Sequence, residues 1–240
     1  MTKTISIVTL KGGVGKSSTC LATAGIFSSE NKKVLLIDLD YQCNVTKTWV
    51  FDPNKPTIWD NLVDGAKFDP LVINKNLHLI QGDLKMKDFP LKMQGRSYAP
   101  FALKDFLGQV KGYDIIIVDV PAKLDLEARN AIQASDLLFS VIQPEQYSIE
   151  NIYTFIDELK IERAQLDGIF VNMIDGRLKA HKAVISQLKK TFGDLVMDAQ
   201  IPMDTKVKEA AISSELLNDY APKSKANLAF KQLIREICQK

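Results

Sequence analysis

A glycine-rich turn between an apolar run and a helical pattern constrains this chain more than any other feature. The turn reads KGGVGKSS at 11–18 and directly follows the β-branched run TISIVTL. Gly12, Gly13 and Gly15 allow the backbone to curl its N–H groups around phosphate oxygens. The helix that begins at the end of the turn adds the partial positive charge of its N-terminus. The sequence therefore predicts a phosphate-binding loop that joins a strand to a helix.

The loop is a variant of the general P-loop pattern G-x-x-x-x-G-K-[ST]. Gly15, Lys16 and Ser17 match the end of that pattern, whereas Leu10 occupies the place of its first glycine. Lys16 is expected to contact the β- and γ-phosphates, and the Ser17 hydroxyl is expected to bind Mg²⁺. A second cation, Lys11, stands at the start of the loop, where a solvated lysine would be the ordinary interpretation. The predicted nucleotide-binding residues of the loop are Gly12, Gly13, Val14, Gly15, Lys16, Ser17 and Ser18.

Acidic residues follow two of the apolar runs. Asp38 ends the run VLLID and Asp40 lies just beyond it, while Asp119 ends the run IIIVD. The carboxyl ends of parallel strands open on the same edge of a sheet, where ligands bind. Asp119 is expected to hold Mg²⁺ in the Walker B role, and either Asp38 or Asp40 to complete the metal shell or position the attacking water. A lone aspartate after a strand is more often a helix cap or turn residue, so this prediction depends on the nearby phosphate loop.

Short apolar runs alternate with longer helical patterns along the chain. Several of the runs are almost continuously apolar, as are strands covered on both faces of a parallel sheet. The alternation predicts an α/β fold, a doubly wound, mostly parallel sheet with helices on both faces. The predicted strands are 4–10, 33–39, 77–81, 114–120, 136–142, 168–174 and 195–201.

Helical spacing of apolar residues predicts helices over 17–29, 148–163 and 179–192, with Ser148 as an N-cap. The region 52–100 is the least regular, and we interpret it as loops and short helices. The length suits one domain that spans 1–240.

Composition narrows the class of protein. Hydrophobic residues make up 46% of the chain and charged residues 25%, as in a globular protein with a core of normal size. The net charge of +2 does not by itself indicate a nucleic-acid-binding protein, so a DNA-binding surface needs local clustering or assembly.

Three widely spaced cysteines without a CxxC fit a reducing compartment. Because there is neither a signal-peptide pattern nor an apolar run of about 18 residues, we expect a cytoplasmic protein.

Taken together, the motifs resemble the deviant Walker A ATPases of the ParA/MinD superfamily, a branch of the SIMIBI P-loop NTPases. KGGVGKSS resembles the deviant P-loop, LLIDLDYQCN the D-x-D-x-Q switch I, and YDIIIVDVPA the Walker B and switch II segments. VNM at 171–173, IPMDTKVKEA at 201–210 and the last helical pattern extend the resemblance over essentially the whole chain.

The resemblance implies roles for residues that the loop pattern leaves open. Lys11 would cross the interface of an ATP-sandwich dimer and contact the phosphates of the other subunit. Asp40 would organise the hydrolytic water, which makes Lys11, Lys16 and Asp40 the catalytic candidates. Ser17, Asp38 and Asp119 would hold Mg²⁺. Asn172, Pro202 and Met203 would contact the bound nucleotide, with Asn172 reading the adenine.

Three residues of the switch segments depart from the pattern of the superfamily, and Met203 stands where the segment after IP usually has its first basic residue. Tyr41 replaces the proline that usually follows the second aspartate of switch I, and Val120 and Ala122 stand beside Pro121 where switch II usually reads Asp-Thr/Cys-Pro-Pro. None of these changes removes a phosphate-binding or metal-binding group. We expect them to affect how a partner protein is coupled to ATP hydrolysis.

Within the superfamily, the resemblance is strongest to ParA, which implies an ATP-dependent partitioning or cargo-positioning ATPase. Its ATP-bound dimer would bind DNA non-specifically, and a ParB-like partner would stimulate its weak hydrolysis and release it from the nucleoid. Such binding needs lysines and arginines that contact phosphates without reading bases. The alternatives are a MinD-like ATPase that binds membranes through an amphipathic tail, or a metabolic P-loop enzyme. We expect no membrane binding, because the apolar stripe of the last helix more often docks on its own core. The candidate DNA-binding residues are Arg177, Lys179, Lys182, Lys206, Lys208, Lys223 and Lys225.

Overall fold

An eight-stranded sheet runs through the protein, for which a computed structural model describes residues 2–240. The order of strands across the sheet is β3-β4-β2-β5-β1-β6-β7-β8, and every neighbouring pair is parallel except β3 with β4. The prediction of a doubly wound, mostly parallel sheet is therefore confirmed. The strands are β1 (Lys3–Val8), β2 (Val34–Asp38), β3 (Leu71–Asn74), β4 (Leu77–Ile80), β5 (Ile115–Asp119), β6 (Leu137–Ile142), β7 (Gly168–Ile174) and β8 (Val196–Pro202).

Helices connect the strands and cover both faces of the sheet. Four short 3₁₀ segments, at Thr46–Thr48, Leu84–Asp88, Ala99–Phe101 and Gly193–Leu195, join the longer elements. The α-helices are α1 (Lys16–Ser29), α2 (Ile58–Leu62), α3 (Phe89–Lys92), α4 (Ala102–Leu107), α5 (Leu126–Ala134), α6 (Ser148–Ile161), α7 (Lys179–Phe192), α8 (Thr205–Ile212), α9 (Leu217–Tyr220) and α10 (Lys225–Ile237).

The strands in the middle of the sheet are mostly buried. Every residue of β2 and β6 is buried. Because successive side chains of a strand point to opposite faces, Leu35 and Ile37 pack into one apolar core and Leu36 into the other. Burial of one such side chain is worth about 1.5–3 kcal/mol. This two-sided burial is the physical reason for the continuous apolar runs in the sequence.

The region 52–100 contains more regular structure than the sequence predicts. The short helices are present, but β3 also forms and pairs antiparallel with β4 at the edge of the sheet. Its four residues are only partly covered, and Val72 is 62% exposed. A four-residue edge strand buries too little apolar surface to give a clear sequence pattern, so this strand was missed.

One detail at the start of α6 differs from the prediction. Ser148 is the first residue of α6 and not its N-cap, which is Tyr147. The Ser148 hydroxyl instead donates a hydrogen bond to the Gln143 carbonyl and accepts one from the Glu145 N–H. It thus fixes the turn that precedes α6.

The last helix, α10, docks on the protein itself. Phe230, Leu233, Ile234 and Ile237 are buried in the core that also contains residues of α1 and β8, whereas Leu228 is exposed. The apolar stripe of the tail is therefore used for packing. Among residues 2–240, none of the helices combines the length and the apolar character needed to cross a membrane.

The order of the strands brings the predicted site together. β5 lies between β2 and β1, so the carboxyl ends of these three strands are adjacent. Asp38 pairs in register with Asp119, and Asp119 with Ile7, which lies four residues before Lys11 at the start of the phosphate loop. Three segments that are distant in sequence therefore meet at one edge of the sheet.

Candidate nucleotide site

The phosphate loop has a backbone conformation that depends on glycine. Gly13 and Gly15 adopt φ angles of 79° and 87°, which residues with a Cβ rarely adopt. Gly15 is the N-cap residue of α1, and among the described residues no side chain caps this helix. The first N–H groups of α1 are thus left for an anion, which is the chemistry of a phosphate site.

Lys16 lies between two aspartates at the base of the loop. Its Nζ is 3.3 Å from Asp119 Oδ1 and 3.8 Å from Asp40 Oδ2, and all three residues are buried. Burial by itself lowers the pKa of Lys16, but the charges of Asp119 and Asp40 outweigh it and raise the pKa. Lys16 therefore stays a cation where the β- and γ-phosphates are expected.

Ser17 and Asp119 form the predicted metal-binding pair. The Ser17 hydroxyl donates to Asp119 Oδ2 at 2.6 Å, so both groups converge on one point beside the loop. The described residues contain no cluster of three or more His, Cys, Asp or Glu that could hold a metal ion alone. Mg²⁺ commonly binds through one or two side-chain oxygens together with substrate phosphates and water. The donor set fits Mg²⁺ delivered with a nucleotide.

Asp38 is more deeply buried than the sequence indicates. Its Oδ2 accepts hydrogen bonds from the N–H and the hydroxyl of Thr46, at 2.8 Å and 2.7 Å. Its Oδ1 has no hydrogen-bond partner within the described chain. Burial, followed by the negative charge of neighbouring Asp119, raises the pKa of Asp38 to about 7. An unpartnered buried oxygen beside Asp119 is compatible with a role near the metal, while Thr46 ties Asp38 to the switch I turn.

A cleft of about 580 Å³ opens above these residues. Lys11 lies on its rim and forms an ion pair with Glu145, which comes from the turn between β6 and α6. Two of the three residues that depart from the superfamily pattern, Tyr41 and Ala122, also line the cleft, whereas Val120 is buried in the core. The remaining lining residues are Gly12, Gly13, Gly15, Lys16, Ser17, Ser18, Asp40, Gln42, Asn44, Pro121, Lys123 and Met173.

The three residues predicted to contact the nucleotide from the second half of the chain do not line this cleft. Asn172 is 5% exposed and hydrogen-bonds the loop backbone at Val14. Pro202 ends β8, and Met203, which is 66% exposed, donates its N–H to the Ile174 carbonyl. They stand at the carboxyl edge of β7 and β8, beside the loop on the side away from switch I.

The candidate DNA-binding residues are all exposed, but two of them are neutralised. Arg177 forms a two-pronged pair with Asp175, and Lys206 pairs with Glu209 at 2.6 Å. Lys206, Lys223 and Lys225 line one shallow depression of about 640 Å³. The members that make no ion pair with any described residue are Lys179, Lys182, Lys208, Lys223 and Lys225.

Sequence reasoning missed Glu145 and Thr46. Glu145 lies three residues beyond the apolar strand β6, so a search for acids shortly after strands, like that which found Asp40 beyond β2, could have found it. Thr46 lies eight residues beyond Asp38 in an irregular turn, and no local pattern indicates that its side chain returns to that carboxylate.

Comparison with known proteins decides the family. A family model described as "AAA domain" matches residues 2–170. The chromosome-partitioning ATPase Soj of Thermus thermophilus is 30% identical over 240 residues, which cover 97% of this chain and 94% of Soj. The chain belongs to the ParA-type P-loop NTPases. As a member of this family, it is a partitioning ATPase that hydrolyses ATP.

Two solved structures agree with the ParA-type fold. A protein of Borrelia burgdorferi B31, described as a plasmid partition protein and bound to AMPPNP, superimposes with a TM-score of 0.89 at 23% identity, over 100% of this chain and 99% of its own. The septum site-determining protein MinD of Pyrococcus horikoshii, in complex with Mg-ADP, gives a TM-score of 0.81 at 26% identity, over 99% and 96% of the two chains. Both place the ParA-type fold around a bound adenine nucleotide.

Proposed function

We propose that this ParA-type ATPase binds ATP with Mg²⁺, forms an ATP-dependent dimer that binds DNA without sequence preference, and leaves the DNA when a ParB-like partner stimulates hydrolysis. The observation that supports the proposal is that two lysines of one loop occupy different environments. Lys16 is buried beside Asp119 and Asp40, whereas the Lys11 side chain is 44% exposed on the rim of the same cleft.

The buried lysine accounts for nucleotide binding within one subunit. Lys16 and the N-terminus of α1 face the phosphates from below, and Ser17 with Asp119 supplies oxygen ligands for the cation. Mg²⁺, when bound, would neutralise charge that develops on the phosphate oxygens. These groups are sufficient to bind one nucleotide in one chain. Lys11 is not needed for that binding.

The exposed lysine supports the dimer. A lysine on the rim of an open cleft can reach a phosphate across an interface once a second copy faces the same cleft. In the single chain Glu145 holds Lys11. Because this pair is exposed, it is worth about 1 kcal/mol or less, so a phosphate group can replace Glu145 at little cost.

Asp40 supports slow hydrolysis. Its Oδ1 accepts the N–H of Gln42 at 2.9 Å, and its Oδ2 faces Lys16, so the carboxylate is held in one orientation at the base of the cleft. An oriented carboxylate in this place can accept a hydrogen bond from a water molecule and direct its lone pair at the γ-phosphate.

The basic surface supports the DNA step. Lys223 and Lys225 make no ion pair with the described residues, and with Lys206 they surround one depression at the carboxyl edge of the sheet. A dimer doubles these contacts, so ATP can switch DNA binding on through dimerisation. On this proposal the protein is cytoplasmic and associated with the nucleoid.

Retention on DNA and on lipid tests the proposal against a MinD-like function. The full chain is passed over immobilised random-sequence DNA and, in parallel, sedimented with phosphatidylglycerol vesicles, each with ATP, AMPPNP or ADP in Mg²⁺. We expect retention on DNA with ATP or AMPPNP and loss with ADP. Retention on the vesicles alone would overturn the DNA step in favour of a membrane-binding ATPase, and retention on neither would also contradict it.

A further inference from the structure

The charged side chains that line the nucleotide cleft are Lys11, Lys16, Asp40 and Lys123. Lys16 and Asp40 pair with each other, and Lys11 pairs with Glu145. Lys123 makes no ion pair with any residue between 2 and 240. Of the charged groups in this cleft, Lys123 is therefore the one that its surroundings within the described chain leave unbalanced.

Lys123 lies in the segment that leads from the metal-binding pair to helix α5. Asp119 ends β5, and Pro121, Ala122 and Lys123 follow it along the wall of the cleft. Pro121 is buried and its ring fixes one backbone torsion of the segment, whereas Lys123 is exposed. An anchored backbone thus carries a long cationic side chain on the wall of the cleft.

The order of the strands places this segment at the phosphate end of the cleft. β5 lies between β2 and β1, whereas β7, which carries Asn172, lies on the other side of β1. Ser17 and Asp119 mark the place expected for Mg²⁺, which bridges the terminal phosphates of a nucleotide. Since Lys123 follows Asp119 by four residues, it stands on the side of the loop where these phosphates are expected, away from the strand expected to contact the nucleoside.

A terminal phosphate in this place lies among carboxylates and gains from an additional cation. Asp40 and Asp119 already balance the charge of Lys16. The proposed function assigns Lys11 to the nucleotide of the second subunit. The ammonium group of Lys123 has three N–H donors on a flexible stem, and it can bind a phosphate as a point charge.

We propose that Lys123 contacts the terminal phosphate of the nucleotide bound in its own chain and so favours ATP over ADP. The proposal rests on the nucleotide-binding function described above and adds to it a residue from the segment after β5. ADP lacks the phosphate that Lys123 contacts, so with ADP the side chain remains in solvent. The lysine thereby contributes to the difference between the ATP-bound and ADP-bound states.

A nucleoside triphosphate analogue and a diphosphate test the contact. The affinities of the wild type, Lys123→Ala and Lys123→Arg for AMPPNP and ADP are measured by titration calorimetry in Mg²⁺. We expect Lys123→Ala to lose about fivefold in affinity for AMPPNP, the size of an exposed ion pair, and to bind ADP within about twofold of the wild type. Lys123→Arg keeps the charge and should retain both affinities. Equal losses for AMPPNP and ADP, or no loss for either, would overturn the proposal.

The contact has to be assigned to one chain, because AMPPNP is also expected to promote dimers. Each titration is therefore repeated in the Lys11→Ala background, and light scattering reports the oligomeric state. The same loss for AMPPNP in both backgrounds supports a contact within one chain. A loss that disappears in the Lys11→Ala background would place Lys123 at the dimer interface and contradict the proposal.

Lys104 provides the matched control. It is exposed on α4, makes no ion pair with the described residues and does not line the cleft. Lys104→Ala changes the net charge by the same amount as Lys123→Ala and should leave both affinities unchanged. An equal loss in the two variants would show a response to total charge alone and would refute the contact. A wild type that binds neither nucleotide would refute the nucleotide-binding function itself, an outcome distinct from a loss confined to Lys123→Ala.

Discussion

At the scale of single residues, the site consists of one buried cation balanced by two carboxylates. Lys16, Asp40 and Asp119 are each less than one-tenth exposed, and they meet because three neighbouring strands end at one place. A buried lysine without these partners would lose its proton or unfold the loop. The arrangement keeps a full positive charge under the phosphates before any ligand arrives.

The two lysines of the loop should therefore fail in different ways. Lys16→Ala should abolish ATP binding, because it removes the buried cation and leaves Asp40 and Asp119 to repel the phosphates. Lys11→Ala should retain ATP binding by the single chain but lose ATP-dependent dimerisation, since its side chain lies on the rim. Equilibrium binding of a fluorescent ATP analogue and light scattering measure the two effects. Tight binding by Lys16→Ala, or normal dimers of Lys11→Ala, would contradict the assigned roles.

Asp40 should separate binding from hydrolysis. Asp40→Ala removes the carboxylate that is proposed to orient water, whereas Lys16, Ser17 and the loop backbone remain. We expect ATP binding within about threefold of the wild type and a fall in turnover of about a hundredfold or more, the size of a general acid–base contribution. The variant should accumulate as ATP-bound dimers, visible by size-exclusion chromatography with light scattering. Normal phosphate release would exclude this role.

Single residues also show which parts of the site can be predicted from the sequence. Lys16, Ser17 and Asp119 are brought together as the loop pattern and the strand-end rule predict, because both rules express local chemistry on a parallel sheet. Glu145 and Thr46 were not predicted, because each finds its partner through a turn whose path depends on tertiary packing. Asn172 was predicted to contact the bound nucleotide, and nothing in a sequence reveals that its amide also donates to the Val14 carbonyl of the loop.

At the scale of elements, the first turn of α5 contains a buried acid that the nucleotide site does not use. Glu127 is 4% exposed, and its Oε2 has no hydrogen-bond partner among residues 2–240. Burial first, and then the charges of Asp125 and Asp40, raises the pKa of Glu127 to about 7 from its ordinary value of 4.5. The helix that follows switch II thus begins with a group that resists ionisation.

This acid should make stability depend on pH in a defined window. Between pH 4.5 and 7 the folded chain keeps a proton on Glu127 that the unfolded chain has lost, so its contribution to stability falls as the pH rises through this range. Glu127→Gln removes the effect. The variant should match the wild type near pH 4.5 and exceed it at pH 8 by up to about 3 kcal/mol in the free energy of unfolding.

Urea unfolding at pH 4.5, 6 and 8 measures the difference. The matched control is Glu150→Gln, because Glu150 also lies in the first turn of a helix, α6, but is exposed. The free energy of unfolding of this control should differ from that of the wild type by the same amount at every pH. An equal gain for Glu127→Gln at all three values would mean that the acid is destabilising for a reason other than its ionisation.

The elements show a second limit of sequence reasoning. The strands predicted around the centre of the sheet are present with shifts of one or two residues at their ends, because two-sided burial leaves a continuous apolar signal. The edge strand β3 was missed, because four half-covered residues that pair antiparallel with β4 carry almost no such signal. The structure of an edge strand depends on its pairing with a neighbouring strand, and the local sequence does not indicate that pairing.

At the scale of the whole molecule, the nucleotide site and the proposed DNA surface lie at the same edge of the sheet. The phosphate loop and switch segments lie at the carboxyl ends of β1, β2 and β5, while the lysines of the proposed DNA surface lie beyond β7 and β8. The chain carries a net charge of only +2, so the proposed DNA surface would depend on local placement of the lysines and on the proposed pairing of two subunits. Ion pairs reduce the number of candidate cations that are free to contact DNA, because Asp175 and Glu209 already neutralise Arg177 and Lys206.

Charge reversal should therefore act through the lysines that are not paired. Lys223→Glu with Lys225→Glu should weaken ATP-dependent DNA binding and reduce the slope of log affinity against log salt by about two per subunit, close to one for each phosphate that is no longer neutralised. The same double change at Lys75 and Lys111, which are exposed at the opposite edge of the sheet, keeps the net charge equal and should alter neither quantity. Fluorescence anisotropy with random-sequence DNA at several salt concentrations measures both slopes. ATPase activity without DNA should stay at the wild-type level in both variants, because neither pair lines the nucleotide cleft. If the two double variants lose affinity equally, the DNA responds to total charge alone, and the surface beside β8 is not the binding site.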